Sequence, residues 1–393
     1  MTTLLHRLKG DRAIWMTVLF LGLISLLAVY SSISSLAFKR EGGGTLHFLV
    51  KHGVMLITGG LIMIYAARQQ FTIYSRLSQL LIGVMAVLLL LTLLLGSNIN
   101  DASRWITIPF INQSFQTSDP AKVVLVVYLA RVLGKHRAEE WTFREVLLEL
   151  MLPVGVICGL ILPANFSTAA VLFVVCLVIM FIGQVPMKHM VMIVGAAVLA
   201  FGLVLFLAKS TPGLLPRLDT WVGRIESFGV EDHDANYQVE HAKIAIASGG
   251  LLPNGPGSGT SRNFLPHPYS DMIYAFIIEE YGSILGGLGL LLLYLILLYR
   301  AARIAGQCEK PFGSLVAVGL SFMLVLQAMV NMAVAVNLVP VTGQPLPLVS
   351  MGGTSVWFTC LAIGIVLSVS RSLGSGTNPN PTIDGRRPRT AHA

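Results

Sequence analysis

Residues 271–299, DMIYAFIIEEYGSILGGLGLLLLYLILLY, decide the fold. Asp271, Glu279 and Glu280 are the only charged residues in the run, and all three sit at its start. The run exceeds the roughly 20 residues that a helix needs to cross a bilayer. Charges in such a span are costly, so each of the three acids is a functional candidate.

Outward from this stretch, further apolar runs fall at about 14–33, 50–67, 78–95, 121–133, 146–162, 168–183, 190–208, 313–338 and 354–370. The composition agrees: of 393 residues, 54% are hydrophobic and 12% charged, and the mean hydropathy is +0.75. A soluble domain carries about 25% charged residues. A soluble globular enzyme is excluded, and so is disorder, which needs low hydrophobicity. The expected fold is an all-α polytopic membrane protein of about ten transmembrane helices, with a large extracytoplasmic loop before helix eight.

Orientation follows from the basic residues. With the N-terminus inside, seventeen of the 27 Lys and Arg lie on the cytoplasmic side and ten outside, half of the latter in the long loop 209–270. Both termini are therefore expected in the cytoplasm, against which Lys39, Arg40 and Lys51 lie outside. The organisation reads as a cytoplasmic N-terminus (1–13), a membrane domain (14–370) and a disordered, Gly/Ser/Asn/Pro-rich tail (371–393). The first apolar run is read as an uncleaved helix rather than a signal peptide. The net charge of +8 reflects cytoplasmic loops; no clustered basic-aromatic surface points to nucleic acid. Cys158, Cys176, Cys308 and Cys360 form neither a disulfide framework nor a CxxC metal pattern.

The chemistry-bearing residues crowd toward the outer face. Asp271 closes the long loop and opens helix eight, where it is either functional or a helix N-cap. At 100° per residue Glu279 lies about 80° around the helix from Asp271 and roughly 12 Å along it, while Glu280 faces the opposite way. Asp271 and Glu279 could share a cavity; alternatively both glutamates pair with Lys or Arg of neighbouring helices. Lys122, beside Asp119, and Arg104, beside Trp105, are phosphate ligands or interfacial anchors. Gly249–Gly259, GGLLPNGPGSG, lacks the GK[ST] ending of a phosphate loop and reads as a turn-rich surface over a site. His233, His241 and His267 match no metal spacing. Residues 339–353, VPVTGQPLPLVSMGG, are uncharged and rich in Pro and Gly. Such backbone at membrane depth needs burial in protein or a wet cavity, so the segment is a re-entrant-like lining of a site or a tight outer turn. These features leave a transporter and a lipid-substrate enzyme both open.

Four blocks resemble the SEDS family (shape, elongation, division and sporulation), the FtsW/RodA peptidoglycan glycosyltransferases. Asn100–Lys122, NDASRWITIPFINQSFQTSDPAK, is similar to NGxRRWIxxGxxxxQPSExxK, with Arg104, Trp105, Gln116, Ser118 and Lys122 on family positions. Leu162–Ala169, LPANFSTA, keeps only Pro163, Thr168 and Ala169 of QPDxGTA. Residues 237–282 resemble QxxxAxxAIxSGGxxGxGxGxxxxxxxxLPExHTDFIFAxxxEExG; Gln238, Gly249, Gly250, Asp271, Glu279 and Glu280 are among the matches. Pro340–Ser355, PVTGQPLPLVSMGGTS, resembles PVTGxPLPFxSxGGSS.

The resemblance implies a SEDS fold and an inverting polymerase of lipid II. The enzyme would make β-1,4 glycan and release undecaprenyl diphosphate, with division favoured over elongation as its setting. Asp271 becomes the catalytic residue, and Arg104, Lys122, Gln238, Glu279, Ser350, Gly352 and Gly353 candidate substrate-binding residues. A divalent cation, Mg or Mn, is expected, with ligands unknown and no organic cofactor. Implied partners are lipid II, a class B penicillin-binding protein (a transpeptidase) and other division or elongation proteins, with no nucleic acid. The implied location is the bacterial cytoplasmic (inner) membrane, with the active site facing outside. A lipid II flippase and a non-catalytic scaffold of the division complex are the competing readings.

Overall fold

A computed structural model describes residues 10–39, 45–95, 97–99, 102–108, 113–136, 141–210, 233–264 and 269–375. Among the described residues the longer helices, in chain order, are α1 (Arg12–Lys39), α2 (Thr45–Arg68), α3 (Phe71–Leu95), α4 (Ser118–Lys135), α5 (Leu152–Ile161), α6 (Phe166–Ile182), α7 (Met187–Ser210), α8 (His233–Gly249), α9 (Ile273–Tyr281), α10 (Gly289–Gln307), α11 (Pro311–Ala335) and α12 (Ser355–Ser375). A π-helical segment, Val146–Met151, leads into α5, and a second, Gly282–Leu288, joins α9 to α10.

Every expected apolar span falls on helix. Arg12–Ser32, Leu46–Arg68, Phe71–Leu95, Ile273–Gln307, Pro311–Ala335 and Ser355–Leu373 are long and apolar enough to cross a membrane; Phe166–Ile182 and Met187–Leu203 are shorter apolar helices. This is a multi-pass α-helical membrane protein. The segment read as the long loop 209–270 contains α8, and its residues 211–232 and 265–268 lie outside the described residues. So do residues 1–9 and 376–393 of the two terminal segments.

Burial separates inner from outer helices. The apolar windows of α11 and α12 are 67% and 61% buried, against 22% for α2 and α3. α2 turns Leu46, Ile57, Leu61 and Tyr65 outward, an apolar face suited to lipid. Its other face meets α12 at close range. A Cβ on Gly364 would lie 2.7 Å from the Ala66 Cβ and 2.8 Å from the Met63 carbonyl oxygen. Small residues permit this backbone approach between apolar helices.

Polar side chains fix helix ends. Asp11 Oδ1 accepts from the backbone N–H of Ala13 (2.9 Å) and Ile14 (3.2 Å) at the start of α1, and Asp11 also pairs with Arg300 of α10. Asn165 caps α6, its Oδ1 accepting from Thr168 N–H at 3.3 Å. Each cap satisfies an N–H that the helix leaves unpaired.

The departure from all-helix architecture is a three-stranded antiparallel sheet between α3 and α4, ordered β1 (Ser97–Ile99), β2 (Ala102–Ile108) and β3 (Gln113–Gln116). Trp105 registers with Ser97 on one side and Gln116 on the other. Phe115 meets Phe358 of α12 edge-on, ring centres 5.5 Å apart. The sheet thus leads directly into α4, which carries Lys122.

Candidate active site

Asp271 sits in a turn just before α9. The N-cap of α9 is Met272, and no side chain caps it. The capping alternative for Asp271 is therefore not realised. Its carboxylate is half-buried, and Oδ1 accepts from Ser270 Oγ at 2.8 Å. Gly343 lies alongside: a Cβ there would stand 3.6 Å from Asp271 Oδ2, and its φ of +65° suits glycine.

Three successive carbonyls in this turn are anchored. Tyr269 O accepts from Met351 N–H at 3.0 Å. Ser270 O accepts from Ser350 Oγ at 2.7 Å. Asp271 O accepts from Asn331 Nδ2 of α11 at 2.9 Å. Backbone polar groups outside regular structure need such partners when buried.

The segment 339–353 supplies two of those donors and is itself tied down. Ser350 Oγ accepts from Leu346 N–H at 2.8 Å. Pro345 O accepts from Gln327 Nε2 at 2.9 Å, Gln344 O from Asn331 Nδ2 at 2.8 Å, and Pro347 O from Tyr294 OH at 2.5 Å. Val349 O accepts from Ser25 Oγ at 2.8 Å, and Ser25 Oγ lies 2.7 Å from His52 Nε2. The Ser25 hydroxyl has one hydrogen, already donated, so His52 must donate from Nε2. Gln344, Leu346, Leu348, Val349 and Ser350 are all buried. This is a packed, non-helical lining of the kind tolerated inside protein.

Lys122 enters from α4. Its Nζ lies 2.9 Å from Asp119 Oδ1 and donates to Gln327 Oε1 at 3.3 Å. An ammonium has three donors, and among the described residues two of them are taken. Lys122 and Asp271 thus reach the same short stretch of α11. Arg104 lies on β2; its side chain falls outside the described residues. Gln238 is partly buried on α8. Gly352 and Gly353 precede α12, Gly353 with φ +54°.

Glu279 and Glu280 serve a different element. Glu279 Oε1 accepts from Thr260 N–H (2.9 Å), Ser261 N–H (3.1 Å) and Thr260 Oγ1 (3.4 Å). Glu280 Oε1 accepts from Gly257 N–H at 2.9 Å and from Ser31 Oγ of α1. Among the described residues their hydrogen bonds come from loop backbone and hydroxyls rather than from Lys or Arg. Gly257 of the glycine-rich run and Thr260 and Ser261 just after it therefore present N–H groups as a phosphate loop would, but to carboxylates of their own chain.

Gly282 makes this possible. Its φ of +72° interrupts the long apolar span read as one helix. The loop carbonyls Gly250 O and Leu251 O then take the N–H groups of Ser283 (3.0 Å) and Ile284 (3.3 Å). In return Glu280 O takes those of Asn254 and Gly255, both at 3.0 Å. Gly249 is equally constrained: a Cβ there would fall 2.2 Å from Ile278 O.

Sequence reasoning missed Asn331 and Gln327. The signal was present: two amides four residues apart in an otherwise apolar helix share a face. His241 stacks on Phe264 and meets Tyr237 at a tilt of 60°, and His267 and the His233 side chain lie outside the described residues. Among the described residues no three His, Cys, Asp or Glu side chains come together to hold a metal ion. Away from Asp271, α5, α6 and α7 enclose an apolar groove of about 730 Å³, lined in part by Gly155, Gly159, Phe166, Phe173, Ala197 and Phe201.

The FtsW/RodA/SpoVE family, described as cell cycle protein, matches residues 11–374. The probable peptidoglycan glycosyltransferase FtsW of Coxiella burnetii is 30% identical over 91% of this chain and 95% of its own length. The protein of that name from Nitrosococcus halophilus is 31% identical over 87% of each. Among solved structures, a chain of a peptidoglycan synthase complex that coordinates polymerization and crosslinking matches with TM-score 0.71 and 25% identity, over 93% of this chain and 98% of that one. The rod shape determining protein RodA of Thermus thermophilus matches with TM-score 0.66 and 25% identity, over 92% of this chain and 97% of its own. The family match spans nearly every described residue and the fold is shared with RodA, so the chain belongs to the SEDS family of FtsW/RodA/SpoVE cell cycle proteins.

Proposed function

We propose that this protein is a peptidoglycan glycosyltransferase that polymerises lipid II in the bacterial cytoplasmic membrane. Asp271 carries the reading: a carboxylate free of helix capping, on a turn whose three consecutive carbonyls are anchored. A general base needs this fixed placement against the hydroxyl it deprotonates.

In the reaction, Asp271 takes the proton of the acceptor GlcNAc 4-hydroxyl. The oxygen attacks C1 of the donor MurNAc, and the C1–O bond to diphosphate breaks. Undecaprenyl diphosphate leaves with the bonding electrons, and the α linkage becomes β. Diphosphate leaves without protonation, so one carboxylate suffices, unlike a two-carboxylate glycosidase. Lys122 and Arg104 are assigned to the charge that develops on the diphosphate. The apolar groove between α5, α6 and α7 suits a prenyl chain. Among the described residues no cluster of His, Cys, Asp or Glu forms a protein cage for Mg or Mn.

Both termini are placed in the cytoplasm by the basic-residue bias, with ten crossings and the Asp271 turn outside. The similarity to a synthase-complex chain supports a class B penicillin-binding protein as partner, and the FtsW relatives support division as the setting.

The test compares wild type with Asp271→Asn, each purified with the partner and supplied with lipid II, Mg²⁺ and moenomycin. A glycan ladder from wild type alone is expected. Ladders from both would remove Asp271 as the base. No ladder from either, together with lipid II translocation in vesicles, would favour a transporter.

A further inference from the structure

α11 contributes no charged group to the site, yet it touches both of the proposed reactive side chains' supports. Gln327 and Asn331 are 5% and 1% exposed. Spaced four residues apart, they lie on one face about 6 Å apart along the axis. Each divides its amide between two tasks. Asn331 Nδ2 has two hydrogens and gives one to Asp271 O and the other to Gln344 O. Gln327 Nε2 donates to Pro345 O while its Oε1 receives Lys122 Nζ.

The amide group fits these tasks and its isosteres do not. Asp or Glu would lose the donors and add a charge to a buried apolar helix. Leu or Met would match the shape and leave buried carbonyls unpaired. Lys122 and Asp271 come from distant parts of the chain, on α4 and just before α9. One rigid helix fixes the distance between them, and such fixed spacing is what a transfer between two bound sugars needs.

We infer that Gln327 and Asn331 are positioning residues for the transfer reaction. Asn331 sets the Asp271 turn against segment 344–351, and Gln327 aims the Lys122 ammonium. This rests on the glycosyltransferase reading above. The two residues act on different quantities: Asn331 on the chemical step, Gln327 on the binding of the diphosphate.

The experiment measures kcat and KM for lipid II polymerisation by the purified complex, alongside size-exclusion profiles after heating. Asn331→Leu is expected to lower kcat by about 10- to 100-fold with KM within about threefold, in line with the cost of a sub-ångström to ångström misplacement. If Asn331→Leu does not yield folded protein, Asn331→Ser takes its place; its shorter side chain stops short of both carbonyls, so kcat should fall in the same way. Gln327→Met is expected to raise KM, and the Gln327→Met/Lys122→Met double variant should be no worse than Lys122→Met alone. Wild-type kcat in folded Asn331→Leu or Asn331→Ser, or additive losses in the double variant, would overturn the proposal while leaving the glycosyltransferase reading intact. An inactive wild type would overturn both.

Discussion

Glu279 distinguishes a ligand of substrate from a clamp on a loop. Its Oε1 holds two backbone N–H groups and a hydroxyl of residues 260 and 261, with Glu279 only 4% exposed. Hydrogen bonds to a charged group contribute about 1.5–3 kcal/mol each. Thr260 is exposed and Ser261 is buried, so water can replace the carboxylate at one N–H and not at the other. Glu279→Ala should therefore weaken the clamp by about 2–4 kcal/mol, and Glu279→Gln, which keeps an acceptor but loses the charge, by about half that. At roughly 1.4 kcal/mol per tenfold, alanine raises the open population of segment 250–261 about 30- to 1000-fold and glutamine about 5- to 30-fold. Where opening is fast, cleavage tracks that population. Leu251 and Leu252 are 68% and 72% exposed, so a protease selective for large apolar residues, with products mapped by mass, reads the opening directly. Cleavage of Glu279→Ala at the wild-type rate, with a raised KM for lipid II, would refute the clamp and restore Glu279 as a substrate ligand.

Ser350→Ala removes the donor to Ser270 O and the acceptor for Leu346 N–H; about 2–4 kcal/mol of stability should be lost, visible as a lower unfolding midpoint in detergent, with kcat falling further than KM rises. Gly249→Ala would put a Cβ 2.2 Å from Ile278 O, where backbone leaves no room to yield. It should cost about 1–3 kcal/mol or more and part α8 from α9; unchanged heat stability would show that the approach is looser than described. His52→Leu removes the Nε2–H donor to Ser25 Oγ while Ser25 still holds Val349 O, so it should cost about 1–2 kcal/mol. Ser25→Val breaks the link itself and should destabilise more than His52→Leu in the same melting assay.

Much of the architecture was legible because apolar length and composition report directly on helices in a membrane. The expected spans at 121–133 and 146–162 fall on α4 and on the 143–161 region. Asp271, Lys122 and Ser350 were singled out as candidates through motif resemblance, and the structure places them around segment 339–353 and α11. The glutamates were harder. Helical angle alone put Glu279 near the face of Asp271, but Gly282 and the 250–261 loop offer it closer N–H partners. Local periodicity carries no information about a loop that folds back from twenty residues upstream.

By itself the sequence determined the multi-pass helical class, the approximate spans, and the placement of its few acids at the head of one long apolar run. Those follow from how many apolar residues a bilayer requires and from the cost of burying charge. Only the tertiary structure decided which polar group meets which. Asn331 reaches the Asp271 carbonyl across 60 residues, and Gln327 reaches Lys122 across 205. A hydrogen bond is decided within tenths of an ångström, and in this protein that distance is set by how α4, α9 and α11 pack, which no single helix encodes.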